Sequence, residues 1–174
     1  DHAYVEFADS TFDLSRATLA LPGALLVRTL SKAYGLAGLR VEIWQCDANG
    51  RYRHPRDRSD VDEDPNFQGF GHTITDAEGH YRFRTIRPVP YPGRTPHIHA
   101  AVFQEAERPF VTQIYVAGEP LNARDGLFMR VPEALRPLLL SDFVPAVDPV
   151  ATLAAEFDFV LSPVLAGLFE AHAA

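Results

Sequence analysis

GHTITDAEGHYRFRTI, residues Gly71–Ile86, reads as two extended runs joined by a turn, and that grammar decides the fold class. In its second half Tyr81, Phe83 and Thr85 alternate with His80, Arg82 and Arg84, the period-two pattern of a strand with one buried face. Ala77-Glu78-Gly79 supplies the turn between the runs. The same pattern continues on both sides. LRVEIWQCD from Leu39 closes on Ala48-Asn49-Gly50, HYRFRTI closes on Pro88, and HIHAAVF and then FVTQIYV follow, the last closing on Ala117-Gly118. Short strands punctuated by Asn-Gly and Glu-Gly turns predict a mainly β chain, an antiparallel sandwich or barrel. Val41 and Ile43, with Trp44 and Cys46, are its candidate core.

The ends read differently. Tyr4–Phe7 is strand-like, Thr11–Leu21 fits a short helix and Ala24–Leu30 is apolar and β-capable, so residues 1–38 form a short α/β-like N-terminal segment ahead of a β core at 39–174. Toward the C-terminus, Pro132–Leu140 and Val150–Ala155 are expected to be short helices, and AEFDFVL, Ala155–Leu161, a closing strand. Between Pro55 and Phe70 the run PRDRSDVDEDPNFQGF has no periodicity; its Asp60, Asp62, Glu63 and Asp64 lack calcium-loop spacing and read as a solvated loop.

Composition narrows the function classes. With 174 residues and 47% hydrophobic content the chain can fill one core. Its 16 basic against 23 acidic residues, net charge −7, offer no basic footprint for nucleic acid. The single cysteine, Cys46, can form neither an internal disulfide nor a thiolate metal site, so a metal here must take nitrogen and oxygen ligands. No apolar run reaches the length of a membrane span and the first residues lack a signal-peptide pattern, so the expectation is a soluble, cytoplasmic chain. It begins with Asp1 instead of methionine, which suggests processing, truncation or an incomplete reading frame.

The chemistry concentrates in YPGRTPHIH, Tyr91–His99. Prolines and a glycine fix the turns, and an H-x-H pair on an extended run points both imidazoles to one face. An isolated H-x-H is also what an ordinary strand surface carries, so a metal reading needs further ligands. GRYRHP adds Tyr52 just after the Asn49-Gly50 turn. Tyr52, Tyr91, His97 and His99 together offer two phenols and two imidazoles. A phenolate persists at neutral pH only against a strong Lewis acid, and hard trivalent iron suits two of them better than zinc or copper. His54, His72 and His80 read as loop or strand-surface residues.

The segment VEIWQCDANGRYRHP…DPNFQGFGHTITDAEGHYRFRTIRPVPYPGRTPHIH resembles the intradiol ring-cleavage dioxygenases, most of all the iron-bearing subunit of the protocatechuate-cleaving branch, from about Leu39 to Leu161. The resemblance implies an antiparallel β-sandwich of the intradiol type. It implies that Tyr52, Tyr91, His97 and His99 hold a non-haem Fe(III), and that the chain opens a catechol-type ring such as protocatechuate with O2 to a cis,cis-muconate. Arg94 would stabilise negative charge on the ring, Tyr91 would leave the metal and act as a base, and Gln113, in VTQIY, would line the substrate pocket. It also implies a homo-oligomer, or a hetero-oligomer with a related subunit. A noncatalytic or inactive metal-binding β-sandwich is the alternative.

A second resemblance covers only the opening. DHAYVEFADS with LLVRTLSKAYGLAGLR is similar to part of the histidinol-phosphate aminotransferases, which would make Asp1 and Tyr4 pyridoxal-phosphate contacts, Lys32 the Schiff-base lysine and Arg40 a phosphate contact. The large α/β domain such a site needs is absent, so the expectation is an ordinary exposed Lys32 in a recombined segment and no cofactor there. The strand and turn with which intradiol dioxygenases enter the Leu39 run are replaced here. An edge is left unpaired unless Ala24–Leu30 pairs there instead.

Overall fold

A computed structural model describes residues 24–28, 37–103, 109–147 and 151–161 of the chain. The expected Tyr4–Phe7 strand and Thr11–Leu21 helix, with Asp1, Tyr4 and Lys32, lie outside these residues. The described chain is mainly β. Its strands are β1 (Ala24–Arg28), β2 (Arg40–Trp44), β3 (Phe70–Ile74), β4 (Arg82–Ile86), β5 (His97–Phe103), β6 (Phe110–Val116), β7 (Leu140–Ser141), β8 (Val144–Pro145) and β9 (Leu153–Glu156). One sheet has the order β3-β2-β5-β6-β7 and the other β4-β1-β9-β8.

The two sheets share one buried cluster. Val41 and Ile43 of β2, Ile98, Ala100 and Val102 of β5 and Ile114 of β6 meet Tyr81 and Phe83 on the β4 side and Ala155, Phe157 and Phe159 on the β9 side. Burying each large apolar side chain contributes about 1.5–3 kcal/mol, which fixes the strand registers. Tyr81, Phe83 and Thr85 are buried as their alternation requires. The Tyr81 hydroxyl donates to the Phe157 carbonyl at 2.8 Å, closing the core without an orphaned phenol.

Four expectations are corrected. The sheets are not purely antiparallel, because β1 pairs parallel with β9, and β6 parallel with β7. The described part of the expected Val150–Ala155 helix, residues 151–155, is not helical: Leu153–Glu156 is strand β9, drawn into the ladder by its pairing with β1 and β8. That pairing ends before Phe157, so the expected strand Ala155–Leu161 is regular only over its first two residues. Ala24–Arg28 does form a strand, but it pairs with β4 and β9 in the second sheet, while β2 is flanked on both sides by β3 and β5.

Short helices connect β6 to β7: a 3-10 turn at Pro120–Arg124, the helix α1 at Gly126–Arg130 and a second 3-10 segment at Glu133–Leu139. No helix among the described residues is long and apolar enough to cross a membrane.

Candidate metal centre

Register builds the site. In β5, Ile98, Ala100 and Val102 enter the shared core, so His97 and His99 face the opposite side of the sheet. There Trp44 of β2 stands across from His99, which stands across from Gln113 of β6; one row along, His97 faces Tyr115. Trp44 stacks on the His99 ring with centroids 4.9 Å apart and planes 8° from parallel. Both imidazoles are buried, and their Nε2 atoms approach to 3.2 Å.

Two turns deliver the phenols. Pro92-Gly93 makes a tight turn, with Gly93 at φ 80° and Arg94 N donating to the Tyr91 carbonyl at 2.9 Å, so Tyr91 and Arg94 leave it side by side. Gly50 holds φ 83°, and a Cβ there would lie 3.3 Å from the Pro90 carbonyl and 3.4 Å from Tyr91 Cβ. Only glycine lets the Tyr52 loop approach this closely. The Tyr52 amide donates to Asp57 Oδ2 at 2.7 Å, and its ring lies edge-on to Tyr91 at 5.5 Å and to His99 at 6.1 Å.

The donor set fits a hard cation. His97 Nδ1 bonds to the Thr95 carbonyl at 2.6 Å; that bond assigns the proton to Nδ1 and leaves the Nε2 lone pair turned toward His99. Tyr91 Oη lies 3.4 Å from the same Nε2. Tyr52 Oη is buried and has no hydrogen-bond partner of acceptable geometry. Burial, then the Arg94 charge, lowers the His97 pKa to about 4, and burial followed by His97 and Arg94 puts His99 well below its usual value. Burial, reinforced by Tyr91, raises Tyr52 far above an ordinary phenol, and burial raises Tyr91 as well. Two neutral imidazoles and two phenols are nitrogen and oxygen donors of the kind a hard cation takes. The cluster Asp76, Glu78 and His80 is an exposed turn in which Asp76 Oδ1 caps the Glu78 and His80 amides.

Arg94 reaches into the same space. Its NH1 donates to Tyr91 Oη at 3.3 Å and its NH2 to Gln113 Oε1, which also accepts from Tyr115 Oη at 2.7 Å. The structure therefore brings together Tyr52, Tyr91, Arg94, His97, His99 and Gln113. Arg40 is elsewhere, paired with Glu42 at 2.6 Å and lying over Phe103.

A family model described as dioxygenase matches residues 23–163. This chain belongs to the intradiol ring-cleavage dioxygenase family. It is 46% identical over 131 residues to the protocatechuate 3,4-dioxygenase beta chain of Burkholderia cepacia, covering 70% of this chain and 55% of that relative. It is 32% identical over 155 residues to the hydroxyquinol 1,2-dioxygenase of Rhodococcus opacus, covering 71% of this chain and 48% of that one. Among solved structures, the dioxygenase domain of a dioxygenase carbohydrate-binding protein fusion from Streptomyces sp. SirexAA-E superposes with a TM-score of 0.64 at 31% identity, covering 89% of this chain and 94% of that domain. The chain spans about half the length of the curated relatives it matches.

Sequence reasoning about this intradiol-family chain missed several residues of the site. Trp44, taken as core, is buried but faces His99. Tyr115 follows Gln113 at the two-residue spacing that puts both on one face, a signal present in VTQIY. Asp125 carries only the signal of a helix N-cap, and nothing local ties it or Asn122 to the Arg94 loop, because both come from the helical connection after β6.

Proposed function

We propose that this chain is the core of an Fe(III)-dependent intradiol dioxygenase that opens a catechol-type ring between its hydroxylated carbons with O2, giving a cis,cis-muconate. The observation that carries the reading is the convergence of two phenols and two imidazoles beside an anchored Arg94, with Tyr52 Oη buried and without a hydrogen bond of acceptable geometry. Tyr52, Tyr91, His97 and His99 would hold the metal. Once bound there, ferric ion supplies a Lewis acid and a template for the two substrate oxygens.

The remaining work falls to the chain's own side chains. Tyr91 Oη accepts a hydrogen bond from Arg94 NH1, which favours its ionised form, so it is the phenol placed to accept a substrate proton. Arg94 presents a fixed positive charge where the catecholate ring would gain negative charge. Gln113 commits its carbonyl to Arg94 and Tyr115, so its amide nitrogen is the group it offers the substrate. Trp44 and the Thr95 carbonyl hold the two imidazoles in orientation.

In this reading the two sheets form the family's β-sandwich, residues 39–174 carry the core, and the 1–38 segment lends it strand β1. The assembly is a homo-oligomer or a hetero-oligomer with a related subunit. That the chain spans half its curated relatives favours one second reading, a metal-binding core that does not turn over alone. Oxygen uptake by the iron-loaded protein with protocatechuate, catechol and hydroxyquinol decides between them. Uptake with a ring-opened product supports the enzyme; iron binding without uptake on any of the three supports the second reading.

A further inference from the structure

Arg94 does not hold its position unaided. Its side chain is 15% exposed, and its Nε donates at 2.8 Å to Oδ2 of Asp125, whose side chain is fully buried. The same Oδ2 accepts the Thr95 amide at 3.0 Å, while Oδ1 accepts Leu127 N at 2.9 Å and Phe128 N at 3.0 Å at the start of α1. One carboxylate therefore ties the loop between Tyr91 and His97 to the first turn of α1. A guanidinium is a planar fork, so pinning Nε sets the direction of both terminal nitrogens. Here they point to Tyr91, Gln113 and Tyr115. Thr95 is held a second time, its hydroxyl donating to Asn122 Oδ1 at 2.8 Å, and Asn122 in turn bonds the Val116 carbonyl at 2.8 Å. Burial alone would raise the Asp125 carboxyl; the hydrogen bonds from Phe128, Thr95 and Arg94 outweigh it and hold it ionised below the usual range.

We propose that Asp125 is a positioning residue for the ring-opening reaction: it anchors Arg94 through Nε so that the two terminal nitrogens face the substrate position beside Tyr91 and Gln113. The proposal rests on the dioxygenase reading above. It adds that catalysis depends on the direction of the Arg94 fork as well as its charge, and that the carboxylate capping α1 sets that direction.

The test uses Asp125→Asn, which keeps an oxygen for the α1 amides but places an amide or a neutral oxygen against Arg94 Nε, and Asp125→Ser, which keeps a capping hydroxyl and removes the anchor. In iron-loaded protein each is expected to retain iron and to lose kcat by on the order of a hundredfold, the cost of displacing a preorganised group by about 1 Å. In an Arg94→Ala background, Asp125→Asn should change kcat by no more than about twofold, because its route to the reaction is already gone. An equal loss in both backgrounds overturns the proposal. On metal-free protein, phenylglyoxal labelling of Arg94, read by mass spectrometry, should run severalfold faster in Asp125→Asn; an unchanged rate also overturns it. That arm stands even if the wild-type chain opens no catechol, an outcome that would count against the proposed function instead. If neither variant folds, Asp125 serves the fold and the positioning role is rejected.

Discussion

Replacing Tyr52 by phenylalanine should change stability in opposite directions with and without iron. Tyr52 Oη is buried without a protein partner of acceptable geometry, whereas Tyr91 Oη contacts Arg94 NH1 at 3.3 Å and His97 Nε2 at 3.4 Å. An unpaired buried polar group costs about 1–3 kcal/mol, and a chain of this size moves its melting midpoint by about 2–4 °C per kcal/mol. Metal-free Tyr52→Phe is therefore expected to melt at least about 2 °C above wild type. Tyr91→Phe forfeits contacts worth about 0.5–1.5 kcal/mol and should melt about 1–6 °C below it. Adding ferric ion should reverse the ranking for Tyr52, because a ligand that binds the folded state raises the midpoint in proportion to its affinity. The assay is calorimetry on chelated and iron-loaded samples of wild type and both variants. A metal-free Tyr52→Phe that melts below wild type, with an undiminished iron-induced rise, would refute the reasoning, since the hydroxyl would then be a structural group.

Arg94→Ser should keep iron content and colour while turnover per iron falls by on the order of a hundredfold; iron loss in step with activity would instead mark Arg94 as a loop-packing residue. Trp44→Ala removes the ring stacked on His99 and should cost about 3–5 kcal/mol in denaturant unfolding, with weaker iron retention in whatever remains folded. The metal-free protein should lose stability as pH falls from about 6.5 toward 4. His97 stays neutral in the folded state down to about 4 while the unfolded chain binds its proton from 6.5, so this histidine alone removes about 3 kcal/mol across that window. Glu42, whose pKa burial raises above 4.5, acts with the opposite sign, its contribution disappearing as pH rises. Urea midpoints measured every half pH unit check the slope, and a profile unaffected by His97→Gln would contradict it.

The β grammar was legible because alternation such as Tyr81, Phe83 and Thr85 reports directly which face is buried, and because Asn49-Gly50 and Pro92-Gly93 mark turns by backbone geometry. His97 and His99 could be placed on one face for the same reason. Strand order was not legible. Nothing local in Leu153–Glu156 says that it pairs parallel with Ala24–Arg28, since that register is set by the packing of Ala155, Phe157 and Phe159 against the distant Tyr81 and Phe83. The role of Asp125 at the site was invisible for a similar reason: two of its four hydrogen bonds are ordinary helix caps, and the two that reach Arg94 and Thr95 span about thirty residues, so no local spacing announces them.

The central claim is that Tyr52, Tyr91, His97 and His99 form one ferric site. Titrating Fe(III) into the metal-free protein while recording the visible spectrum tests it most directly, since a phenolate bound to ferric ion produces a charge-transfer band that imidazole or carboxylate ligation does not. The account predicts a coloured complex saturating at one iron per chain, with the band weakened in Tyr91→Phe and Tyr52→Phe and nearly absent when both are replaced. A colourless one-to-one complex, or a band that survives the double replacement, would contradict it.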